Sequence, residues 1–381
     1  MTRRLAALSM AAVTALILPG CVGGSPASAR ASAISSATAG IPVSGRLLAS
    51  PSQPAPPSKP DIYYIVLDRY ASDETLREQF DFDNTPFLSF LQRKGFYVAT
   101  GSRANYPRTS HSLASSLNMD FLDGLAEKAD GPEDRSPVYH ALGHTRVAEF
   151  LKSRGYRYIH MGSWWPPTAD SPEADVNIRF DPPPASDTQF AGHRYTFREQ
   201  EYLRRLFQFK ELGRIVRMRG PKFVFVHILA PHEPFAFDRH GHFVTLDQQL
   251  REGKYRAYVE QLRFLNKKVM KSIGSILARN RRGPPAVILQ ADEGPFRGLT
   301  PSNSIDQGSR GLRRKFGILN AYYLPEVDRS MLYPSISPVN SFRVLFDLYF
   351  GANLPLLPDR HFVFAKGQLY RFVEITSRLG V

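Results

Sequence analysis

The chain has 381 residues, 43% of them hydrophobic, enough to bury a large core. A formal net charge of +14 favours anionic partners such as nucleic acid, acidic lipid, teichoic-type polymers or phosphate esters, yet the arginines are scattered and no nucleic-acid-binding motif stands out. The single cysteine, Cys21, excludes a disulfide framework and any cysteine-based metal site.

A basic start, Arg3-Arg4, precedes a short apolar run, Leu5 to Leu18, that closes on Leu18-Pro19-Gly20-Cys21. This pattern is a secretory signal over residues 1–21, too short for a membrane span. It resembles a bacterial lipoprotein signal, with Cys21 as the lipidation site and the membrane as a partner through the acyl chains. Residues 22–60 are rich in Ala, Ser, Gly and Pro; they cannot bury enough apolar surface to fold and read as a tether. Residues 61–381 are expected to form one catalytic domain.

Within that domain Ile62 to Leu67 reads as a buried strand, followed by helices over Thr75 to Phe80 and Thr85 to Lys94 and a strand from Gly95 to Ala99. Ser110 to Leu117 carries Leu113 and Leu117 on one helical face. His144 to Arg154 is read as a helix, Tyr156 to Met161 as a strand, and residues 163–195, rich in Pro and Asp, as a long loop. Lys222 to Ala230 is a strand, Tyr255 to Arg279 a long amphipathic helix, Ala286 to Gln290 and Gly317 to Leu324 strands, and Val339 to Tyr349 a helix. Strands alternating with helices imply an α/β fold with a mainly parallel sheet covered on both faces.

Two aspartates end apolar runs: Asp68 after Ile62–Leu67, and Asp292, followed by Glu293-Gly294, after Ala286–Gln290. Acids at the carboxyl ends of buried strands lie where open α/β sheets hold ligands and metals. Thr109 opens the helix in Asn105-Tyr-Pro-Arg-Thr-Ser-His-Ser. Its hydroxyl is a weak nucleophile that a metal held by Asp68 and Asp292 would activate, or else it is simply a helix cap; Ser110 and Ser112 compete for the role. His232 follows the strand that contains His227 and should share the acidic edge, binding a phosphoryl group, protonating a leaving oxygen or ligating metal. His227, inside the strand, has the setting of a core histidine and is kept as a substrate-side candidate. Arg108 is placed to clamp phosphate and Trp164 to line a pocket, though an arginine on the surface and a tryptophan packing its loop are the ordinary alternatives. The set suggests metal-assisted chemistry on phosphoryl esters.

Four segments in order, Ile65-Val-Leu-Asp68, Asn105 to Asn118, His227-Ile-Leu-Ala-Pro-His232-Glu-Pro-Phe235 and Gln290-Ala-Asp292-Glu-Gly-Pro, resemble the sulfatase-like branch of the alkaline phosphatase superfamily, nearest to lipoteichoic acid synthases and phosphoglycerol transferases. The resemblance implies a three-layer α/β/α sandwich around a large mixed, mostly parallel sheet. It implies Asp68, Thr109 and Asp292 as metal ligands, Thr109 also as covalent acceptor, and His232 on the substrate side. Where that family has Asp-His-Gly this chain has Asp292-Glu293-Gly294, so Glu293 is expected as a ligand that shifts preference from Zn2+ toward Mn2+, Mg2+ or Ca2+. The cysteine-based or serine-based sulfatase motif is lacking. The reading is an exported, membrane-tethered hydrolase or phosphotransferase acting on phosphate esters of the cell envelope, with no nucleic-acid partner. The alternative is a catalytically degenerate member that binds an envelope polymer.

Overall fold

The computed structural model describes residues 59–182, 195–280, 283–295, 308–364 and 367–380. The chain divides into Met1–Gln53 and Pro54–Val381. The expected signal, Cys21 and the tether up to residue 58 lie outside the described residues. The tether's last two residues, Lys59 and Pro60, are bonded to the domain through Lys59 Nζ to the Arg154 carbonyl and the Tyr156 hydroxyl to the Pro60 carbonyl.

Among the described residues a seven-stranded sheet is built from β1 (Ile62–Leu67), β2 (Tyr97–Val98), β3 (Arg157–Met161), β4 (Val176–Asn177), β5 (Lys222–Ile228), β6 (Ala286–Gln290) and β7 (Asn320–Tyr323). Their order is β2-β7-β6-β1-β5-β3-β4. The five strands from β6 to β4 run parallel, and β7 pairs antiparallel with both β6 and β2. The fold is thus α/β with a mixed, mostly parallel sheet, as the alternation of elements implied.

Continuous apolar runs are what strands covered on both faces require. Along β1 the side chains alternate between two cores. Tyr63, Ile65 and Leu67 join one with Leu262, Leu265 and Val269 of the helix Lys254–Arg279. Ile62, Tyr64 and Val66 join the other with Leu113, Ala114 and Leu117 of the helix Thr109–Asn118 and Phe342, Leu345 and Phe346 of the helix Ser341–Phe350. The sheet therefore has helices on both sides.

Most expected elements lie within a few residues of those observed. The segment read as a loop carries a short helix, Pro166–Ala169, and the edge strand β4. The helix Phe197–Ile215 had no counterpart in the sequence reading, because its buried side includes Glu201, Arg205, Gln208 and Glu211 rather than an apolar stripe.

Candidate active site at the carboxyl edge of the sheet

β6, β1 and β5 are neighbours at the centre of the sheet, so their carboxyl ends open on one place. Asp68 directly follows β1 and extends the ladder, its N–H donating to the Ile228 carbonyl at 3.0 Å. His227 pairs in register with Val66, so it lies on the face that also holds Tyr64 and Phe225. Asp292 lies two residues beyond β6. Asp68, His227 and Asp292 each offer a ligand atom, all within 4.8 Å of one another, and all three residues are buried. His227, read as a substrate-side or core residue, thus stands among the acids.

Thr109 is the first residue of its helix, after Arg108 at the N-cap, and no side chain caps this end. Its side chain is near enough to the Asp292 carboxylate to lower that group's pKa. The neighbouring hydroxyls are engaged elsewhere: Ser110 Oγ meets His111 Nδ1 at 3.1 Å and Ser112 Oγ donates to the Asp292 carbonyl at 2.6 Å. Among the three candidates only Thr109 acts on the pKa of the Asp292 carboxyl.

Burial decides the electrostatics. For Asp68, burial pushes the carboxyl upward, but His232, His227 and Arg69 outweigh it and hold it well below the usual range. For Asp292, burial followed by Asp68 and Glu293 pushes the carboxyl well above its ordinary value, against the opposing hydrogen bonds from Thr109 and the Arg69 N–H. Asp68 Oδ1, Asp292 Oδ2 and Glu293 Oε2 are buried with no hydrogen-bond donor. Buried carboxylate oxygens left without donors are costly unless a cation meets them. At the opposite edge Asp61 has no such vacancy, since Lys222 binds it through both its ammonium and its N–H. The donor set of two carboxylates, one imidazole and the Thr109 hydroxyl fits a divalent cation that accepts oxygen and nitrogen.

Glu293, expected as a ligand, stands outside the close group. Its Oε1 accepts from Arg69 Nε at 3.0 Å and Lys315 Nζ at 2.7 Å. Gly294 makes this pairing reachable: a Cβ there would come 2.1 Å from the Arg314 carbonyl, and its N–H donates to the Lys315 carbonyl at 2.7 Å.

His232 lies on the turn after β5, near enough to Asp68 for the two charges to interact. Burial lowers it to about 4, with Asp68 opposing and Arg69 reinforcing the shift. Its Nδ1 bonds the Glu233 carbonyl, which can only accept, so neutral His232 carries its proton on Nδ1 and leaves Nε2 as an acceptor. Arg205 and Gln261 hold this turn: Arg205 donates to the Pro234 and His232 carbonyls at 2.8 and 3.3 Å, and Gln261 to those of Pro231 and His232 at 3.2 and 3.0 Å.

The other two expectations, Arg108 and Trp164, make aromatic contacts. The Arg108 guanidinium lies over the Phe364 ring, 5.3 Å from its centroid. Trp164 is 38% exposed and meets the exposed Phe197 edge-on at 5.1 Å. The sequence reading missed Thr168, whose hydroxyl meets His227 Nδ1 at 2.8 Å, and Lys315.

No family model and no curated protein matches the chain. Solved structures do. The C-terminal periplasmic domain of EcEptC from Escherichia coli, in complex with Zn, aligns at 12% identity over 83% of this chain and 92% of that one, with a TM-score of 0.54. A 2-O GAG sulfatase aligns at 13% identity over 78% and 72%, with a TM-score of 0.50. The periplasmic domain of a phosphoethanolamine transferase from Campylobacter jejuni aligns at 11% identity over 77% and 89%, with a TM-score of 0.47. These neighbours are of the sulfatase-like branch of the alkaline phosphatase superfamily, and this chain shares their fold.

Proposed function

We propose that the protein is a metal-dependent hydrolase or phosphotransferase acting on phosphate esters, with Thr109 as nucleophile. The observation that carries this reading is the meeting of Asp68, His227 and Asp292 within 4.8 Å, with donor-less carboxylate oxygens and the Thr109 side chain near Asp292. Sulfatase-like neighbours in the fold comparison agree with it.

Asp68, His227, Asp292 and Thr109 would hold a divalent cation. Such a cation supplies charge stabilisation for a phosphoryl oxygen and lowers the pKa of a bound hydroxyl. Its identity is proposed as Mn2+, Mg2+ or Ca2+, because three of these four side chains donate oxygen, with Zn2+ as the alternative that one imidazole and the Zn-bound neighbour keep open. Thr109 Oγ1 would form the new bond to phosphorus as the bond to the leaving oxygen breaks, its own proton passing to water and the leaving oxygen taking one from water. The helix that begins at Thr109 presents its N-terminal N–H groups to an anion at that position. Neutral His232 offers Nε2 to accept a proton from the water or alcohol that later releases Thr109. Envelope phosphate esters remain the proposed substrates, with export and anchoring through Cys21. Among the described residues no helix is long and apolar enough to cross a membrane.

The test pairs turnover with metal content. Phosphomonoesters, phosphodiesters and glycerophospholipids are assayed with Mn2+ for wild type and Thr109→Ala. Turnover should fall by roughly 10³-fold or more, while Asp292→Asn should purify with less metal. Unchanged turnover in Thr109→Ala removes it as nucleophile. Metal-binding wild type without turnover on any ester favours the alternative, a degenerate member that binds an envelope polymer.

A further inference from the structure

Glu293 Oε1 stands between two cations, Arg69 and Lys315. The Arg69 side chain is 9% exposed and that of Glu293 3%. Arg69 uses Nε for Glu293, and Lys315 Nζ takes the same carboxylate oxygen from another direction. The Arg69 backbone is held as firmly: φ is 63°, its N–H donates to Asp292 Oδ1 at 3.1 Å, and its carbonyl accepts from the Tyr258 hydroxyl at 3.0 Å. A non-glycine residue in this left-handed region carries strain and persists where its surroundings enforce it, most often at functional sites. The guanidinium thus has an anchored Nε edge and two terminal nitrogens that make no hydrogen bond among the described residues. Nη1 lies 3.9 Å from Glu233 Oε2, beyond hydrogen-bond reach, and Glu233 is 41% exposed and already bonded to Lys254 Nζ at 2.9 Å.

We propose that Arg69 is a substrate-binding residue that grips the oxyanion of the ester, and that Glu293 and Lys315 are positioning residues that aim it. This rests on the reading of the site as one for phosphate esters. Arg69 and Lys315 carry two positive charges against the one negative charge of Glu293, and Asp68 lies 3.8 Å from Arg69 Nε. A guanidinium held through Nε presents its remaining donors in a fixed plane that matches two oxygens of a tetrahedral anion. The replacement of an expected imidazole by Glu293 then has a physical reason. One carboxylate oxygen takes both Arg69 and Lys315, where a neutral histidine would offer a single uncharged acceptor, and Lys315 keeps that carboxylate from cancelling the guanidinium.

Two calorimetric titrations test this on the folded protein, one with Mn2+ and one with inorganic phosphate added to the Mn2+-loaded form. Arg69→Met should weaken phosphate by about tenfold or more and leave Mn2+ affinity within about threefold; Arg69→Lys, which keeps charge but not the fork, should fall between. Glu293→Gln should weaken phosphate and leave Mn2+ bound. Phosphate affinity in Arg69→Met within about twofold of wild type overturns the proposal. So does a Glu293→Gln variant that loses Mn2+ as completely as Asp292→Asn, since Glu293 would then be a ligand. If Arg69→Met does not fold, Arg69→Lys carries the same comparison. Failure of wild type to bind Mn2+ overturns the metal reading alone, and phosphate titrated into the metal-free protein then tests Arg69 by itself. No phosphate binding by wild type overturns the role of Arg69.

Discussion

Thr168 serves the site without touching either aspartate. Its hydroxyl meets His227 Nδ1 at 2.8 Å and Ser163 Oγ at 3.0 Å, while His227 Nε2 faces Asp68 Oδ2 at 3.2 Å. A hydroxyl can both donate and accept, so it satisfies Nδ1 whether Nε2 carries a proton or a cation. Gly162 permits this approach, because a Cβ there would lie 1.6 Å from the Thr168 carbonyl. Thr168→Val keeps the shape and removes the hydroxyl. Mn2+ affinity should fall by roughly 10- to 100-fold, measured by calorimetry, with the far-ultraviolet spectrum unchanged. Retained affinity would show that His227 needs no such support. Nothing in a run of prolines and aspartates marks Thr168 in the sequence, because its role depends on a turn that brings residue 168 back over residue 162. Asp68 and Asp292 were legible, because each comes at the end of a strand with four or more apolar residues.

At the scale of elements, the helices Phe197–Ile215 and Lys254–Arg279 each send a polar side chain inward to the His232 turn. Arg205 is fully buried and Gln261 wholly shielded, and Arg205 Nη1 donates to Gln261 Oε1 at 3.1 Å. Their targets are main-chain carbonyls that would otherwise lack donors inside the protein. Arg205→Met should destabilise the fold by about 3 kcal/mol, because it strands buried carbonyls and leaves Glu201 without one of its charge partners. Urea unfolding measures this, and a midpoint equal to that of wild type would refute the supporting role. The same chemistry hid the helix Phe197–Ile215 from a reading based on apolar periodicity. The helix Thr109–Asn118 was visible because its buried side includes Leu113, Ala114 and Leu117.

At the scale of the whole molecule, His111, His160 and His361 are buried. Each pairs one ring nitrogen with a carbonyl: His111 with Leu369, His160 with Thr168 and His361 with Ala104. Burial lowers His111 to about 3 and His160 and His361 to about 4, from an ordinary value of 6.5. Between about pH 6.5 and 4 the unfolded chain binds protons that the folded chain refuses. Stability is therefore full above pH 6.5 and is lost as pH falls, by about 1.4 kcal/mol per pH unit for each histidine. Urea midpoints at constant ionic strength should drop steadily from pH 7 to 5. A flat profile would mean that these rings are charged or open to solvent in the native state.

The chain's alternation of apolar runs with helical segments determined by itself that the fold is α/β, and its strand-ending acids pointed to the sheet edge where Asp68, His227 and Asp292 meet, because burial and strand direction are local properties of a sequence. The company those acids keep was settled only in three dimensions. His227 lies 159 residues from Asp68, and Lys315 reaches Glu293 only because the backbone at Gly294 admits a close neighbour. Whether a buried carboxylate faces a cation, an imidazole or an arginine depends on distances of a few ångströms between separate strands, and strand order in space is what sets them.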